Sequence, residues 1–82
     1  MVAMNAPFAN VAHGTPEALR EFIHEQLGLA IIHAQNGMGY AEAGDDVGLE
    51  YAVRRVAAYT RAALSTVADL KQHKTEGAHE HV

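Results

Sequence analysis

The chain has 82 residues, a formal charge of −4, nearly half apolar residues and no cysteine. That length suffices for one small domain, which buries about 60–65% of the surface exposed by its unfolded chain. The missing cysteine excludes a disulfide framework, thiol catalysis and cysteine-based zinc sites. The acidic balance argues against sequence-independent nucleic-acid binding, which needs clustered cations.

Residues 1–14 combine Asn5, Pro7, Asn10 and Gly14 with small apolar residues and read as a flexible arm. Residues 1–7 lack a basic segment followed by a long apolar one, so no secretory leader is expected. No apolar run approaches the roughly 20 residues that span a bilayer. A cytoplasmic protein without membrane contact is expected.

A first helix is predicted over residues 16–43. Thr15 can accept an orphan N–H of the first turn. Pro16 suits the first helical position, where its missing donor costs nothing, and Glu17 complements the positive end of the dipole. Asn36-Gly37 offers an earlier stop, but a heptad-like stripe runs through it: Ile23, Leu27, Ala30, Ala34, Gly37, Ala41. Gly28, Gly37 and Gly39 each weaken the helix by about 1 kcal/mol relative to alanine. Close packing is the expected compensation.

Gly44-Asp45-Asp46 reads as the turn, with Asp46 capping a second helix over about residues 47–72. Its stripe is Leu49, Val53, Val56, Thr60, Ala63, Val67, Leu70, in alternating steps of about 4 and 3 as in coiled coils. Folding the chain about residue 45 sets Gly37 opposite Val53 and Ala30 opposite Thr60. Residues 73–82 lack apolar periodicity and read as a flexible tail. The domain is therefore residues 15–72, an all-α antiparallel two-helix hairpin.

One hairpin leaves many apolar side chains unused. Phe22, Leu29, Ile31, Ile32 and Met38 lie outside the first stripe, and Tyr51, Tyr59 and Leu64 lie outside the second. Burying a large apolar side chain contributes about 1.5–3 kcal/mol, and small scaffolds without disulfide or metal commonly oligomerise. A homodimer forming a four-helix bundle is expected. The candidate interface residues are Phe22, Gln26, Leu29, His33, Tyr40 and Tyr59. Gln26, His33 and Tyr40 form one heptad row beside the apolar stripe, where a second chain would have to satisfy their polar groups.

Six histidines require a search for metal sites. Glu21 and His24 have the Glu-x-x-His spacing of di-iron bundles, but both fall on the polar side of the first helix, and the second helix has no matching pair. His79-Glu80-His81 could catch a metal adventitiously. Ser65, Thr60 and Thr66 have no histidine–acid partners that would activate them, and no phosphate-binding glycine loop follows a strand. No catalytic residue, cofactor or dedicated metal is expected.

The expected function is non-enzymatic: a self-associating helical protein acting through protein contacts, as an accessory or regulatory subunit whose partner the sequence does not identify. The alternative is a small metal- or ligand-binding bundle using Glu21 and His24, or His33. The stretches Pro7-Phe8-Ala9-Asn10-Val11-Ala12-His13-Gly14, Thr15-Pro16-Glu17-Ala18-Leu19 and Leu49-Glu50-Tyr51-Ala52-Val53 resemble a family of small proteobacterial helical-hairpin proteins of unestablished function. That resemblance implies the hairpin and assigns no functional residue.

Overall fold

A computed structural model describes the backbone of residues 14–81 and the side chains of residues 14–74. The expected arm, apart from Gly14, lies outside the described residues. Two helices make up the described chain: α1, Pro16–Ala43, and α2, Asp46–His81. They pack against each other as an antiparallel hairpin.

α1 begins where its cap chemistry places it. Thr15 is extended, and its Oγ1 accepts the Ala18 N–H at 3.1 Å. α1 continues through Asn36-Gly37 and ends at a left-handed Gly44 with φ 74°. Gly44 N–H donates to the Ala41 carbonyl and Asp45 N–H to the Tyr40 carbonyl, at 3.2 and 2.9 Å. This pair of bonds is the Schellman stop, which satisfies carbonyls that the last turn would leave open. Only glycine enters that backbone region without a Cβ penalty.

The cap of α2 is Asp45 rather than the expected Asp46. Asp45 Oδ1 accepts the Gly48 N–H at 3.0 Å, and the Asp45 carbonyl accepts the Leu49 N–H. The Schellman turn ends one residue earlier than the composition implied, so Asp46 falls inside the first turn. α2 also passes its expected end at Gln72 and reaches His81. Lys71, Gln72, Lys74 and Glu76 are good helix formers, and no proline interrupts them.

The packed seam is rotated by one residue on each helix relative to the apolar stripes. On α1 the half-buried or buried row is Leu19, Ile23, Gln26, Ala30, His33, Gly37 and Tyr40. Ile23, Ala30 and Gly37 were expected there. Leu27, Ala34 and Ala41 are instead exposed. On α2 the row is Leu49, Ala52, Val56, Tyr59, Ala63, Thr66 and Leu70, while Val53 and Thr60 are exposed.

Backbone approach explains the rotation. Gly37 lies opposite Ala52, not Val53; a Cβ built on Gly37 would stand 3.2 Å from the Ala52 Cβ. Two small residues let the helices close at this level, and Ala52 is the most deeply buried apolar residue, at 1% exposure. Tyr40 lies across Gly48 near the turn, and the aromatic residues of the seam fill the space on either side of the tight contact.

Candidate interaction surface

The seam carries a cluster of polar and aromatic side chains. The His33 ring stacks on Tyr59 with centroids 5.4 Å apart, and meets Tyr51 edge-on at 6.1 Å. Such ring pairs contribute about 0.5–1.5 kcal/mol beyond their buried area. Arg55, one turn before Tyr59, donates to the Tyr59 hydroxyl and holds its guanidinium 4.9 Å from that ring's centroid. The hydrogen bond to Tyr59, and then the charge interaction with it, raise the guanidinium pKa above its ordinary value. Thr66 is buried, and its hydroxyl bonds back to the Ala62 carbonyl at 2.8 Å.

Four of the six candidate interface residues are half-buried along the hairpin's own seam. Gln26, His33, Tyr40 and Tyr59 belong to the seam between α1 and α2. Tight glycine–alanine contacts need bulky neighbours to close the remaining gap, and a histidine or tyrosine fills it. Leu29 is half-buried on one flank. On that flank Phe22 lines an open-end cavity of about 440 Å³ with Leu19, Thr66 and His73. Glu21 and His24 are both exposed. Among the described residues no three metal-ligating side chains come together.

The seam's rotation leaves large apolar groups outside. Next to the seam, His33, Ala34, Gly37, Met38 and Ala41 of α1 and Leu49, Ala52, Val53 and Val56 of α2 line one groove of about 330 Å³. Residues four or seven apart share a helix face, so Leu27 and Ile31 continue the α1 side of this groove, and Ala57, Thr60, Leu64 and Val67 continue the α2 side. The result is one apolar face spanning both helices. Met38 is 66% exposed, Ile31 58%, Val53 57% and Leu64 70%. The one hydroxyl at its centre, Thr60 Oγ1, donates to its own helix, to the Val56 and Ala57 carbonyls at 2.8 and 3.1 Å. Thr60 therefore adds its methyl to the face. The opposite flank carries Phe22, Ile32 and Tyr51 but is broken by Glu25, Asn36, Arg55 and Asp69.

The interior is correspondingly thin. Ala30, Ala52 and Ala63 are the buried apolar residues among those described, and no large side chain is fully buried. The sequence signal that could have separated seam from face was size: the small residues Gly37 and Ala52 lie at one level, and the larger side chains lie one position over.

No family model, curated protein or solved structure matches the chain. Among the described residues, no helix is long and apolar enough to cross a membrane.

Proposed function

We propose that the protein is a self-associating helical protein. Its Leu27–Met38 and Val53–Leu64 face covers the same face of a second copy, giving a homodimeric four-helix bundle. The observation that carries this reading is a face of large exposed apolar side chains over a core of small ones. Alanines are the only buried apolar residues described, while Ile31, Met38, Val53 and Leu64 are each more than half exposed. Contiguous exposed apolar surface of this kind marks an interaction site. A two-fold interface uses the same patch on both chains, so an uncharged apolar face is complementary to its own copy. In this reading the chain acts through protein contacts in the cytoplasm, as an accessory or regulatory subunit without catalytic activity of its own.

Light scattering on the purified chain at micromolar concentration tests the proposal. The expected mass is that of two chains. A monodisperse monomer overturns it.

A further inference from the structure

We infer that the segment Pro7-Phe8-Ala9-Asn10-Val11-Ala12 docks back on its own hairpin, with Phe8 and Val11 filling the open-end cavity beside Phe22. The cavity lies on the flank opposite the apolar face, so this docking is independent of self-association.

The cavity has an apolar wall and a polar rim. Ala18, Leu19 and Phe22 of α1 line one side, and Thr66 of α2 lines the other. Phe22 is 41% exposed. The Thr66 hydroxyl already donates to the Ala62 carbonyl, so the wall presents no polar group in need of a partner. The polar groups are those of Asp69 and His73, exposed one turn apart on α2. A carboxylate at that rim can accept the backbone N–H groups of an extended occupant.

The start of α1 points to the occupant. Gly14 is itself part of the cavity wall, so the chain that precedes it begins at the cavity. Its φ of 96° is a conformation that glycine adopts without a Cβ penalty, and it turns the chain just before the Thr15 cap. At many helix starts the residue before the N-cap packs an apolar side chain on the fourth helical residue. Here that pair is Gly14 and Leu19, and Gly14 has no side chain to give. A residue from farther back has to supply the contact. Val11 and Phe8 lie three and six residues before Gly14. At up to about 3.5 Å per residue they reach about 10 and 20 Å from it. The helical rise from Thr15 to Phe22 is about 10 Å, so both reach the wall.

Composition agrees. None of residues 1–12 carries a charged side chain, and Asn10 is the one polar residue between Pro7 and Ala12. Segments that remain solvated are rich in charge and poor in aromatic residues, whereas this one holds Phe8 and Val11. A tether this short gives an effective concentration in the millimolar range. That favours the chain's own segment over the same segment of a second copy or a free small molecule. The folding unit then begins near Pro7 rather than at Thr15.

The chain has neither tryptophan nor cysteine, so introduced probes are unique. In the full chain, Phe8→Trp should emit at shorter wavelength and resist acrylamide quenching, relative to the same variant in urea. Adding Phe22→Lys should reverse both changes while circular dichroism still reports the helices. An indole as accessible in the folded chain as in urea leaves the cavity to another occupant and overturns the docking. A second measurement uses disulfides. Phe8→Cys with Asp69→Cys should oxidise several-fold faster than Phe8→Cys with Ala68→Cys, giving a species of one-chain mass. Ala68 is the exposed neighbour of Asp69 outside the cavity. Equal rates overturn the docking. A two-chain species from the Asp69 pair, formed by neither single variant, places a second copy's segment in the cavity and overturns the intrachain assignment. A monomeric mass for the unmodified chain would overturn self-association and leave this docking standing.

Discussion

The Tyr40 ring lies against Gly48 so closely that a Cβ at position 48 would stand 2.7 Å from Tyr40 Cδ1 and 2.9 Å from the Asp45 carboxylate. The last turn of α1 and the first turn of α2 are joined by this contact as well as by the chain. Alanine ordinarily stabilises a helix by about 1 kcal/mol relative to glycine. Here Gly48→Ala is expected to destabilise by about 1–3 kcal/mol, because both the ring and the capping carboxylate must shift. Urea denaturation of the variant checks the sign.

Gly37 and Gly28 should respond differently to the same change. A Cβ at Gly28 meets nothing within 4 Å, so Gly28→Ala should stabilise by about 1 kcal/mol. At Gly37 the Ala52 Cβ stands 3.2 Å from the added group, and Gly37→Ala should gain less than Gly28→Ala. Gly37→Leu should cost about 1–3 kcal/mol by forcing the helices apart. Thermal melts of the three variants test the ranking; an unchanged melt for Gly37→Leu would place residue 37 away from the seam.

The two aspartates of the turn are also distinguishable. Asp45 accepts the Gly48 N–H, so Asp45→Ala should cost about 1 kcal/mol as a lost cap. Asp46 lies in the first turn, where the helix dipole favours its charge, and Asp46→Ala should cost about 0.3–1 kcal/mol, less so in salt. Denaturation at low and high ionic strength separates them, and a larger loss at position 46 would reverse the capping assignment.

The two flanks of the hairpin should differ in their effect on mass. Leu64→Lys places a cation in the centre of the apolar face and should shift the protein toward monomer. Phe22→Lys lies on the opposite, charge-broken flank and should leave the two-chain mass intact. Sedimentation velocity on both variants reads the difference. Dissociation by Phe22→Lys alone would move the interface to that flank.

Local chemistry was enough to place the two helices and the turn between them, though not the capping residue of α2 or its end at His81. Thr15 before Pro16 starts the first helix, Gly44 stops it, and an acidic turn returns the chain, because caps and left-handed glycines act over three or four residues and can be read one at a time. The wide apolar coverage, too large for one neighbouring helix, was also visible, and it carried the expectation of self-association. The rotation of the helices was not legible. Leu27 or Gln26, Ala34 or His33, Val53 or Ala52 could each complete a heptad seam with Ile23, Ala30, Gly37 and Leu49, and periodicity alone favours the more apolar member of each pair. Tertiary packing favoured the other, because Gly37 and Ala52 meet at one level and allow close backbone approach. The rings of His33 and Tyr59 then stack across the gap. That choice turned Ile31, Met38, Val53 and Leu64 outward. Which residues form the seam and which form the face depends on contact between positions distant in sequence, and spacing along one helix does not encode it.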